Sequence, residues 1–137
     1  MNIGILNSMH HSEEVLKIKD QLEKLGHQVF CSKFINNFIG KNDEEKEEIK
    51  LHQKYNLDAI KEHWEVIQKV DVVLAVNLER KGIKNYIGGN TFLELGFAYV
   101  LNKKIFLLNP IPDIHFYDTE IKAMRPIILN GDLTKID

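Results

Sequence analysis

"DVVLAV", residues 71–76, is one acid followed by five apolar residues, three of them valine. The run is too short for an ordinary helix and shows no apolar–polar alternation. It therefore reads as a strand buried on both faces, the pattern of a parallel sheet covered by helices. The sequence on either side repeats this logic. Leu57, Ile60, Trp64 and Ile67 recur at steps of three and four, which predicts a helix burying one face just before the strand. A polar, glycine-bearing loop (77–89) follows it, then "GGNTFLELGFAYV" (88–100), long enough for a helix, and "KIFLLN" (104–109), a further strand. Towards the N-terminus, "NIGILN" (2–7) is another buried-strand candidate. Val15, Leu16, Ile18, Leu22 and Leu25 then mark one face of a helix, with Ser12 as N-cap and Gly26 just past its end. "HQVFCS" (27–32) reads as a shorter strand, and a short helix over 118–124 precedes the strand "PIILN" (126–130). The charge run "KNDEEKEEIK" (41–50) reads as an exposed helix or a mobile loop, a solvated face to which no function is assigned. Five strands alternating with helices predict an α/β fold, a doubly wound five-stranded parallel sheet with helices on both faces.

The size of the chain suits that fold. With 137 residues, 44% hydrophobic and 28% charged, it is expected to form a single domain over 1–137. A formal charge of −2 gives no global basic field for a nucleic acid polymer, so a small-molecule partner is expected. Met1 leads directly into "NIGIL" with no basic-then-apolar leader, and no apolar run reaches the ~18 residues of a membrane span, which reads as cytoplasmic. Cys31 is the single cysteine. The six histidines show no His-x-x-x-His spacing, so neither a metal site nor a cofactor is expected. Hydrolase elbows, phosphate-binding P-loops and dinucleotide fingerprints are absent from the sequence.

In open α/β sheets, ligands bind beyond the carboxyl ends of the strands, where strand order reverses. This points to the loops at 7–11, 77–90 and 109–117. The candidate binding residues there are Asn7, Ser8, Met9 and His10, then Asn77, Tyr86, Gly88, Gly89 and Asn90, then Asn109. Glu94 stands out within its apolar stretch, because a buried carboxylate is costly unless it is paired or used. One reading is a Thr-x-x-Glu capping box, in which Glu94 accepts from the backbone N–H of Thr91. The other is a catalytic or ligand-facing carboxylate.

"ILNSM" at the first strand end, "DVVLAVN", and "GGNTFLELGFAYVLNKKIFLL" together resemble the nucleoside 2-deoxyribosyltransferase superfamily, which includes deoxynucleoside-monophosphate N-glycosidases. The resemblance covers roughly 2–9 and 57–130. It implies a flavodoxin-like fold, homo-oligomers of at least two chains, and a glutamate in a Glu-x-Gly pattern that attacks the anomeric carbon of the sugar. Glu94-Leu95-Gly96 matches that pattern. The implied substrate is a nucleoside or nucleotide, with Ser8 near the sugar or phosphate and Asn130 serving the pocket of a neighbouring chain. Three positions depart from the pattern. Gly88 stands where many transferases carry an acid, His63 lies nearest the place of an aspartate that protonates or orients the base, and His10 replaces an arginine of phosphate-binding relatives. His63 is accordingly a candidate proton donor. A non-catalytic nucleotide-binding or sensor protein of the same fold is the alternative reading.

Overall fold

The computed structural model describes residues 1–137. Its strands are β1 (Asn2–Asn7), β2 (Gln28–Phe30), β3 (Val72–Val76), β4 (Lys104–Leu107) and β5 (Ile127–Ile128). Its α-helices are α1 (Ser12–Lys24), α2 (Asp43–Asn56), α3 (Ala59–Lys69), α4 (Gly89–Val100) and α5 (Asp118–Ala123). The five strands form one all-parallel sheet in the order β2-β1-β3-β4-β5. Strand order reverses between β1 and β3, where Ile3 pairs with Val72 and Asn7 with Val76. No helix is long and apolar enough to cross a membrane.

The two-residue period of β3 sorts the core into two layers. Val72, Leu74 and Val76 face one layer with Ile3, Ile5 and Phe106, covered by Val15 and Leu22 of α1. Val73 and Ala75 face the other with Leu6 and Leu107, covered by Ile67 of α3, Leu95 and Ala98 of α4 and Ile121 of α5. Gly4 also belongs to this second side. A Cβ there would lie 3.1 Å from Val70 Cγ2, so the strand carries no side chain where the α3–β3 corner crosses it. Asp71 Oδ2 accepts from the Asn2 N–H at 2.8 Å and ties the starts of β1 and β3 together.

Three helical expectations are corrected by the structure. Leu57 ends α2 and is exposed, and Ile60 is also exposed, so the buried face of α3 centres on His63 and Ile67. Ser12 does not cap α1; its hydroxyl donates to Met9 O, while Ser8 caps the preceding 3-10 turn (Met9–His11) by accepting from His10 N–H. The 41–50 run lies mostly in α2, where Asn42 and Glu45 form a capping box, and Lys46 and Gln53 of that helix are buried.

The carboxyl ends of β3 and β4 are locked by a pair of asparagines. Asn77 accepts from the Asn109 N–H at 2.9 Å and donates to Asn109 O and Pro110 O, while Asn109 Nδ2 donates back to Asn77 O at 2.9 Å. Asn77 is only 1% exposed, so truncation strands several buried groups. Asn77→Ala should cost ~2–3 kcal/mol in urea denaturation at unchanged m-value. A loss too small to resolve would show that solvent replaces the clamp.

Candidate functional site

A cleft of about 290 Å³ opens beyond the carboxyl ends of β1 and β3, at the reversal of strand order. Its floor is Asn7, Ser8 and Met9; one wall is the start of α4 with the loop before it, and the opposite wall is α2 and the start of α3. At its base Glu94 of α4 meets His63 of α3, with Oε2 of the carboxylate against Nδ1 of the ring. Both residues are buried, Glu94 at 7% and His63 at 6% exposure. The packing that brings them together is apolar: Trp64 meets Phe97 edge to face with ring centroids 5.0 Å apart, pinning α3 to α4.

The capping reading of Glu94 does not hold. α4 begins at Gly89 with Gly88 as its N-cap, so Thr91 lies inside the first turn and Glu94 one turn further along. No side chain caps this helix, which leaves first-turn N–H groups at the wall of the cleft. The turn is held from behind by Tyr117, whose hydroxyl donates to Ile87 O and whose ring stacks on Phe92 at 4.4 Å.

Burial pulls the His63 pKa down to about 4, while an ionised Glu94 beside Nδ1 acts in the opposite direction. The arrangement that satisfies both groups is a neutral ring whose Nδ1–H donates to the carboxylate. This tautomer is assigned from the contact. Nε2, which has no hydrogen-bond partner, is then a proton acceptor.

Of the predicted binding residues, Asn7, Ser8, Met9, Tyr86, Gly88, Gly89 and Asn90 line the cleft together with Glu94 and His63. Asn77 and Asn109 do not line it; they form the clamp beneath it. Asn130 lies after β5, away from the cleft, with a left-handed φ of 50°. The Tyr86 ring would meet a Cβ built on Gly88 at 3.2 Å, so tyrosine occupies the space a side chain at 88 would need.

His10 lies outside the cleft lining, and both its ring nitrogens are engaged. Nδ1 contacts Asp43 at 3.0 Å and Nε2 contacts Glu47 at 3.1 Å. Beside it the buried Lys46 donates to His10 O and to Glu13, so α2 is docked on the first loop by charge-assisted hydrogen bonds. This docking brings Glu47, Lys50, Gln53 and Lys54 to the cleft, none of which was singled out from the sequence. The available signal was their spacing: Lys46, Lys50, Gln53 and Lys54 share one helical face.

Comparison with solved structures places this architecture. The 2-deoxyribosyltransferase of Bacillus psychrosaccharolyticus superposes with a TM-score of 0.55 and 22% identity, over 80% of this chain and 73% of that one. The CMP N-glycosidase of Clostridium botulinum gives 0.53 and 17%, over 95% and 90%. The chain has the fold of these enzymes. That flavodoxin-like architecture agrees with the superfamily resemblance drawn from the sequence. No protein-family model matches the chain, and no curated protein sequence does.

The pH dependence of stability tests the state of His63. Its folded pKa is depressed below the unfolded value of 6.5, so its contribution is present above pH 6.5 and is lost as pH falls towards 4. The stability of the parent should fall by up to ~2 kcal/mol between pH 6.5 and 4.5 relative to His63→Gln, measured by urea denaturation. Parallel curves for the two proteins would show that Glu94 offsets the burial completely.

Proposed function

We propose that the protein cleaves or transfers the N-glycosidic bond of a nucleoside or nucleoside monophosphate, with Glu94 as the nucleophile. The observation that carries this reading is the buried Glu94–His63 pair at the base of a cleft placed at the strand-order reversal. The shared fold of a deoxyribosyltransferase and a nucleotide N-glycosidase supports glycosidic chemistry in general.

The Glu94 carboxylate attacks the anomeric carbon as the carbon–nitrogen bond breaks, and the departing base leaves with the bonding electrons and takes a proton from solvent. His63 donates its Nδ1–H to Glu94, which keeps the carboxylate ionised and aimed. Water or a second base then attacks the anomeric carbon of the glycosyl ester. This restores the carboxylate, and Nε2 of His63 accepts the proton of the attacking group. Tyr86, beside Gly88, presents an aromatic face for the base.

Assembly into homo-oligomers belongs to the same proposal. The outward residues of α4 include exposed Leu93, Tyr99 and Val100, an apolar face suited to an isologous contact. Light scattering at micromolar concentration should show at least a dimer; a monomer alone would leave Asn130 without a neighbouring pocket to serve.

Glu94→Gln keeps the size of the side chain and a hydrogen-bond acceptor but removes the charge that attack requires. Base release from a panel of nucleosides and monophosphates, followed by chromatography, should fall ~1000-fold or more, with folding and ligand binding retained. A variant as active as the parent would remove the nucleophile from this reading. Binding by a parent that releases no base would establish the non-catalytic alternative.

A further inference from the structure

The charge of the cleft is opposite to that of the chain. The protein carries a net −2, yet Lys50, Lys54, Arg80 and Lys81 face the cleft against only two carboxylates, Glu47 and Glu94. Two of these cations have protein partners: Lys50 pairs with Glu47 at 2.8 Å, and Arg80 reaches Asp43 at 3.5 Å. Lys54 makes no ion pair or hydrogen bond; burial first, and then the neighbouring Lys50 charge, lowers its pKa, against a smaller opposing effect of Glu47, whose carboxylate is already taken by Lys50 and His10. A half-buried ammonium beside a like charge is costly without a counter-ion. Next to it, Gln53 is only 3% exposed, and its Nε2 has no acceptor anywhere in the protein. An unpaired cation and an unsatisfied buried donor on consecutive residues of one cleft wall call for an anionic acceptor.

The first loop cannot supply that subsite through His10, because both ring nitrogens are already engaged by Asp43 and Glu47. We propose that Gln53 and Lys54 of α2, with Lys50, bind the phosphate of a nucleoside monophosphate, and that the protein therefore prefers monophosphates to nucleosides. The inference rests on the glycosidic reading for the nucleoside part of the ligand. The phosphate accepts from the Gln53 amide and the lysine ammonium groups, with Arg80 and Lys81 adding positive potential from the loop after β3.

Calorimetry on the Glu94→Gln protein tests this without turnover, using each common nucleoside and its 5′-monophosphate as probes. The monophosphate should bind about 10-fold tighter or more, with a preference that shrinks as salt is raised. Lys54→Ala in that background should remove most of the preference, and Lys54→Arg should retain it. Circular dichroism checks that each variant folds, and Lys54→Gln replaces the alanine variant if that one does not. Equal affinity for nucleoside and monophosphate, no binding of either, or a preference that survives both Lys50→Ala and Lys54→Ala overturns the inference. The two proposals fail separately. Base release from nucleosides and monophosphates at equal kcat/KM keeps the glycosidic reading and removes this one. A lysine-dependent preference for monophosphates in a protein that releases no base keeps this one and removes the reaction.

Discussion

A carboxylate and an imidazole share a buried site between α3 and α4, and the architecture around them serves to hold that contact. Taking either group out of water is costly, and removing one partner leaves the other stranded. The contact therefore persists only if the two helices cannot drift apart. Trp64 against Phe97 fixes α3 to α4, Tyr117 fixes the turn before α4, and the asparagine clamp fixes the strand ends beneath it. Each of these acts through apolar packing or hydrogen bonds from a side chain to the backbone, and leaves Glu94 Oε2 and His63 Nδ1 to one another.

The opposite wall is built by a different kind of force. α2 contributes few apolar residues to the core and is docked through Lys46, Glu13, His10, Asp43 and Glu47. The Lys50 ammonium first, and the His10 ring after it, hold the Glu47 carboxyl below its usual range; His10 is the leading cause of the same lowering at Asp43. Wall and floor are thus joined by ions at their rim, while α4 is joined to the sheet by its core. A helix held this way positions charge at the cleft without closing it with apolar bulk.

The sheet was legible because its signal is local. β1, β3 and β4 are apolar runs that admit few other readings, and the alternate residues of β3 divide between the two core layers as a strand buried on both faces requires. Glu94 was legible as an anomaly, an acid in an apolar helix. Its partner was harder to see, since His63 is recognised as buried only once α3 is rotated to face α4. The amphipathic pattern through Leu57 and Ile60 suggested a different face, because Leu57 lies outside α3 and Ile60 borders the cleft. The role of α2 was hidden for a physical reason. A run of acids and lysines reads as solvated unless the partners of the buried members are known, and Lys46 finds Glu13 across 33 residues of sequence. The capping box at Thr91 was misplaced because Gly88 and Gly89 start the helix earlier, without any capping side chain.

The unsatisfied polar atoms of the protein gather at the same cleft. Native proteins leave few buried side-chain groups without a hydrogen bond, since each costs stability. Five such atoms occur here, on Asn7, Gln53, Glu62, His63 and Glu94, and all but the one on Glu62 belong to residues lining the cleft. Glu94 Oε2 has the His63 contact, whereas Asn7 Oδ1, Gln53 Nε2 and His63 Nε2 have nothing. With His63 as a neutral ring they supply one donor and two acceptors, Asn7 from the floor of the cleft and Gln53 and His63 from α2 and α3. Selection for stability alone would have replaced such groups with apolar ones of similar volume, as the rest of this core has done. Their concentration in one cleft, beside an unpaired lysine, is the pattern expected of a surface whose hydrogen bonds are completed by a polar, anionic ligand.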